Sequence, residues 1–192
     1  MPHHSIHSLP TPLGTLHTFL LGGANTEATC KMEAAIPELV EGMTVEKCFL
    51  IRWNINAETE TAPFAICCEW DKNDSVENGR ADSGQFFAAQ TWEGNGYTLT
   101  LGTGDGEVLS LEAHKGNNIP RRFSAVKQTG TSFDNGELDW VEYTERGFRI
   151  QVPSLKEHEA LALLFAAAWK PHPSPEDAST WFAARALSTP DM

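Results

Sequence analysis

Two stretches in the first half of the chain alternate regularly between two sets of positions. Over residues 45–55, Phe49, Ile51, Trp53 and Ile55 alternate with Cys48, Leu50, Arg52 and Asn54. Over residues 64–71, Phe64, Ile66, Cys68 and Trp70 alternate with Ala65, Cys67, Glu69 and Asp71. Successive side chains of a strand point to opposite faces, so a period of two predicts two strands, each with one apolar face. The polar link at 57–62 is short enough to join them as an antiparallel hairpin. In that hairpin Arg52 meets Glu69 across the strands, while Phe49, Ile51, Trp53, Phe64, Ile66 and Trp70 enter the core.

A meander is expected next. Residues 85–92 are strand-like, and Asn95-Gly96 marks a tight turn because both residues tolerate positive φ. Tyr97, Leu99 and Leu101 alternate with Thr98 and Thr100. Asp105-Gly106 reads as another turn, and Leu109, Leu111 and Ala113 then alternate with Ser110 and Glu112 as a further strand. Residues 138–144 and 147–152 form a later pair, turning at 145–147.

The segment 160–169, ALALLFAAAW, sets two rules against each other. Its alanines and leucines favour helix, and Ser154 with Glu157 fits a capping box at a helix start. A self-comparison favours strand instead. When Ile36-Pro37-Glu38-Leu39 is laid on Val152-Pro153-Ser154-Leu155, Phe49 falls on Phe165 and Trp53 on Trp169. With a change of loop length, Phe64-Ala65 then resembles Phe182-Ala183. Units 14–71 and 136–187 would each run strand, strand, corner, hairpin, as halves of one core. Residues 161–169 would then be a strand buried on both faces.

The fold expected is all-β: an antiparallel β-sandwich or related barrel with an internal pseudo-repeat. The alternative is α+β, an antiparallel sheet with C-terminal helices over 154–169 and 175–187. Residues 1–12 are expected to be a flexible N-terminal tail and 13–192 a single β-rich domain.

The chain has 192 residues, enough for a core without disulfides or metal. Cys30, Cys48, Cys67 and Cys68 form neither a C-x-x-C pair nor a zinc spacing. They read as reduced thiols in a reducing compartment. No apolar run is long enough to cross a membrane as a helix, and the N-terminus does not read as a signal peptide. A soluble, cytoplasmic protein is expected. The formal net charge of -12 argues against nucleic acid and anionic lipid as partners. Solubility alone accounts for it, and a basic protein partner is the sharper reading. Four bases break the acidic trend: Lys115, Arg121, Arg122 and Lys127 follow one another with no acid between them. They are the candidate anion-binding residues, unless the stretch is a loop paired with acidic neighbours.

Other chemistry is thin. Gly102-Thr103-Gly104-Asp105-Gly106 resembles a phosphate loop, but that device needs a helix N-terminus after the loop, and a strand is expected there. Asp71, Asn73, Ser75, Glu77 and Asp82 are spaced somewhat like a calcium loop, with Val76 where glycine is needed. Tight calcium binding is not expected. His3, His4 and His7 belong to the expected tail. Trp53, Trp70 and Trp169 are expected in the core. Core packing is also the default for Trp92, Trp140 and Trp181, with a surface stacking platform as the alternative. No nucleophile elbow, cofactor motif or buried carboxylate pair is legible. The reading is a non-enzymatic acidic binding protein, an inhibitor or immunity-type protein for a basic protein partner. The alternatives are an enzyme with an unrecognised hydrolytic or cation-dependent site, and a structural assembly subunit.

Overall fold

The computed structural model describes residues 6–23, 26–72, 76, 79–116, 118–124, 140–171 and 178–189. Its strands, in chain order, are β1 (His7–Thr11), β2 (Gly14–Leu21), β3 (Thr26–Ala34), β4 (Lys47–Ala57), β5 (Phe64–Lys72), β6 (Arg80–Ala81), β7 (Phe87–Gly94) and β8 (Tyr97–Gly104). Helix α1 (Gly106–Lys115) and a 3-10 turn (Arg121–Ser124) follow, then β9 (Val141–Thr144), β10 (Gly147–Val152), β11 (Ala160–Pro171) and α2 (Ser179–Ser188).

The strands form two antiparallel sheets, ordered β1-β2-β5-β10-β9 and β3-β4-β11-β8-β7-β6. Their inner faces share one core, with Leu16, Ile66 and Phe148 from the first sheet and Trp53, Leu99 and Phe165 from the second. The expected antiparallel sandwich is therefore the fold, with two short helices added.

Strand β11 is the strand that the helix-forming composition obscured. It lies between β4 and β8, pairing Leu163 with Trp53 and Ala167 with both Phe49 and Leu101. Leu161, Leu163, Phe165, Ala167 and Trp169 enter the core between the sheets. Ala166 and Ala168 face the other way, into a smaller cluster with Ala183 and Ala184 of α2. Both faces are covered, so no polar alternation remains. Burying each of its large side chains stabilises the fold by roughly 1.5–3 kcal/mol.

The hairpin at 45–71 is corrected. Both strands exist, but β4 pairs with β3 and β11, whereas β5 pairs with β2 and β10 in the opposite sheet. The link between them arches from one sheet to the other. An arch and a hairpin each bury one face of both strands, so alternation could not separate them. Ile51, Trp53, Phe64, Ile66 and Trp70 are buried as expected, and Phe49 is half-buried, stacked on Trp169 at 5.4 Å. Glu69 pairs with Arg149 at 2.8 Å, not with Arg52.

The two units expected to be related are wired differently. In the first, β3 and β4 pair with each other in one sheet. In the second, β10 and β11 lie in opposite sheets. Phe64 and Ala65 are in a strand, but Phe182 and Ala183 are in α2. Strand pairing therefore does not carry the pseudo-repeat.

Residues 107–113 are helix, not strand. The Asp105 carboxylate caps α1 by accepting from the Glu107 and Val108 amides, at 3.0 Å each. Val108, Leu109 and Ala113 are the buried positions, while Leu111 is 40% exposed. That spacing follows one side of a helix. The expected tail is also shorter, because His7–Thr11 is an edge strand pairing Leu9 with Leu16. The Asn95-Gly96 turn is as expected: both residues have positive φ, 50° and 77°, and join β7 to β8. Trp92 and Trp140 are core residues rather than surface platforms, and Trp181 is half-buried against Phe87.

Candidate functional site

The basic stretch runs from the end of α1 into the 3-10 turn. Helix α1 stops at Gly116, which has the left-handed φ of 74° and donates its amide to Glu112 O. A Cβ there would also lie 2.5 Å from Arg121 Nε. Only glycine lets the Arg121 side chain fold back this closely over the helix end.

The candidate bases have different surroundings. Lys115 pairs with Glu112 at 2.8 Å. Arg122 donates to both carboxylate oxygens of Glu159, at 2.8 and 2.5 Å, and to Ser154 O. Glu159 also accepts from the Lys156 amide. The Arg122 hydrogen bond is the main cause that holds the Glu159 carboxyl below its ordinary pKa. Arg122 thus ties the 3-10 turn to the link between β10 and β11. Arg121 is exposed, and Lys127 lies outside the described residues.

A cleft of about 490 Å³ opens beside this turn. Asn54, Asn56, Asn118, Arg121, Arg122 and Glu159 supply its polar lining. A smaller cavity of about 90 Å³ adjoins it, with Arg52 and Glu112 among its walls. The two share Asn118, Ile119 and Ala162. The three carboxamides and the Arg121 guanidinium give this surface hydrogen-bonding capacity for polar or anionic groups, the Arg122 guanidinium being held by Glu159. Asn54, Asn56 and Asn118 were not singled out in the sequence. The fold brings them together through the outer face of β4 and the link after α1.

The phosphate-loop segment does stand between a strand and a helix, contrary to the expectation. Two first-turn amides of that helix, those of Glu107 and Val108, are nevertheless taken by Asp105, an anion belonging to the chain. The cysteines are free. Burial pushes the thiols of Cys30, Cys48 and Cys67 up to about 12, and that of Cys68 well above its ordinary value. They are poor nucleophiles near neutral pH. Among the described residues, no group of three or more His, Cys, Asp or Glu side chains could hold a metal ion. In the calcium-like stretch, Asn73, Ser75 and Glu77 lie outside the described residues. Asp82 Oδ2 accepts from Thr91 at 3.2 Å. Among the described residues, no helix is long and apolar enough to cross a membrane.

No family model matches the chain, and neither the curated proteins nor the solved structures contain a match to it.

Proposed function

We propose that the protein is a non-enzymatic binding protein for a basic protein partner, acting in the manner of an inhibitor or immunity protein. One observation carries this reading: the excess of acid over base, 26 Asp and Glu against 14 Lys and Arg. Arg80, Lys115, Arg122 and Arg149 are held in ion pairs by the chain's own acids. Exposed Glu27, Glu33, Glu38, Glu41, Glu58 and Glu60 belong to the negative excess of a chain with net charge -12. A surface of this kind steers a cationic partner toward it and repels phosphate backbones. The buried free thiols favour a reducing, cytoplasmic setting.

The test is affinity capture from the host's extract, identification of the bound protein, and reconstitution of the complex from purified components. A basic protein forming a stoichiometric complex is the expected result. Reconstituted partners that are all acidic or neutral would overturn the reading.

A further inference from the structure

Residues 35–46 link β3 to β4 and run beside α2. The link is tied at both ends, since Ala35 N donates to Cys48 O and Glu46 N to Trp169 O, each at 2.9 Å. Met43 N donates to Val40 O at 3.0 Å and closes a turn within it. Leu39 and Val45 pack against the small cluster beneath α2. With those side chains turned inward, Ile36 and Val40 are displayed outward, 97% and 65% exposed. Between link and helix lies a groove of about 500 Å³, walled by Leu39, Val40, Phe182, Ala186 and Leu187.

Charge surrounds this apolar display. Glu33, Glu38, Glu41 and Glu46 are exposed, and no Lys or Arg lies between the first and the last of them. Arg185 is on the groove wall, with its guanidinium carbon 5.6 Å from the Trp181 ring centre. Two anchored residues hold two aliphatic ones in place, so a partner meets a surface whose ordering cost is already met.

We propose that this groove docks a basic segment of the partner protein, one that sets an aliphatic side chain against Ile36 and Val40 and Lys or Arg against Glu38 and Glu41. The proposal rests on the binding reading above. The charge pattern favours this occupant over a second copy of the chain, because a two-fold contact would gather the exposed glutamates of both copies at one interface, with Arg185 the cation on each groove wall.

The test uses the full chain and two synthetic amphipathic helical peptides, one of Leu and Lys and one of Leu and Glu. Binding is measured by calorimetry in low salt. The Leu/Lys peptide should bind and the Leu/Glu peptide should not. Ile36→Asp and Val40→Asp should each weaken binding by about tenfold or more, and Ile36→Ser should weaken it in the same direction. Tyr143→Asp, on the other sheet, should leave binding unchanged. Thermal melts identify any variant that fails to fold, and the remaining variants then decide. Leu/Lys binding that ignores both Ile36 and Val40 would overturn this placement, as would no binding at all. A dimer of the unaltered protein that Ile36→Asp dissolves would give the groove to a second copy and also overturn it. The basic-partner reading is judged separately, by the charge of the reconstituted host partner.

Discussion

Replacing Trp53 should expose how the two sheets are held together. Trp53 is 1% exposed and projects from β4 into the core between the sheets. Its indole Nε1 donates to Thr18 Oγ1 of β2, and that hydroxyl donates in turn to Cys67 O of β5, both at 2.7 Å. His7 of β1 meets the ring edge-on, with centres 5.6 Å apart. Trp53→Ala removes the ring and leaves a cavity, at a cost of about 3–5 kcal/mol. That is a large part of the roughly 5–15 kcal/mol by which a domain is stable. Trp53→Phe keeps a six-membered ring but loses the pyrrole portion with its N–H, costing at least about 0.5–1.5 kcal/mol for the hydrogen bond and leaving a smaller cavity than alanine does. Thr18→Val is worse for its size, because it strands a buried indole N–H, costing about 1–3 kcal/mol. Urea unfolding of the three variants and of the Trp53→Phe/Thr18→Val double variant gives the stabilities. The double variant should be less destabilised than the sum of the single ones, by about 0.5 kcal/mol or more. Additive costs, or a Trp53→Ala penalty below about 1 kcal/mol, would refute the cross-sheet link.

Asp105→Ala should destabilise the protein by about 0.5–2 kcal/mol through loss of the α1 cap, and chemical denaturation would measure it. The Arg122–Glu159 pair, with side chains 32% and 23% exposed, should contribute about 1 kcal/mol after allowing for solvent screening. The folded-state pKa of Glu159 is lowered, so its contribution is complete above the ordinary carboxylate pKa and is lost as pH falls through the folded value. Thermal melts should therefore show a gap between the unaltered protein and Glu159→Gln at neutral pH that closes in acid. With Cys30, Cys48 and Cys67 pushed up to about 12 by burial, a thiol reagent at pH near 8 should label the native protein slowly and the denatured protein fast. A fast-reacting native thiol would contradict that burial.

Local patterns were legible in the sequence, whereas partners distant along the chain were not. Asn95-Gly96 announced its hairpin because both residues accept the φ values that the turn requires. Strands β4 and β5 showed their inward faces plainly, but β4 takes β11 as a neighbour, a segment far along the chain. No period of two encodes that choice. Helix α1 was missed because Leu109, Leu111 and Ala113 alternate as in a strand. Asp105 before the segment and Gly116 after it were the cap and stop signals to weigh. Strand β11 was read correctly through a repeat that the topology does not support. Its alanines are explained instead by α2, which leaves room only for small side chains at Ala166 and Ala168.

The candidate site divides in the same way. Lys115, Arg121 and Arg122 stood out as a run of bases, and the local partner Glu112 was within reach of a sequence argument. Glu159, the partner of Arg122, comes from the link after β10 and was not. The outward display of Ile36 and Val40 was also hidden. It follows from Leu39 and Val45 packing beneath α2, a helix far along the chain from this link.

The central claim is that an acidic surface recognises a basic protein, and the salt dependence of that affinity tests it most directly. The dissociation constant of the reconstituted complex should be measured by calorimetry from low to high sodium chloride. Exposed charges are screened beyond about 10 Å at 0.1 M salt and about 3 Å at 1 M. The account predicts affinity that falls by about tenfold or more across that range, mostly through slower association. Affinity that stays level or rises with salt would contradict it.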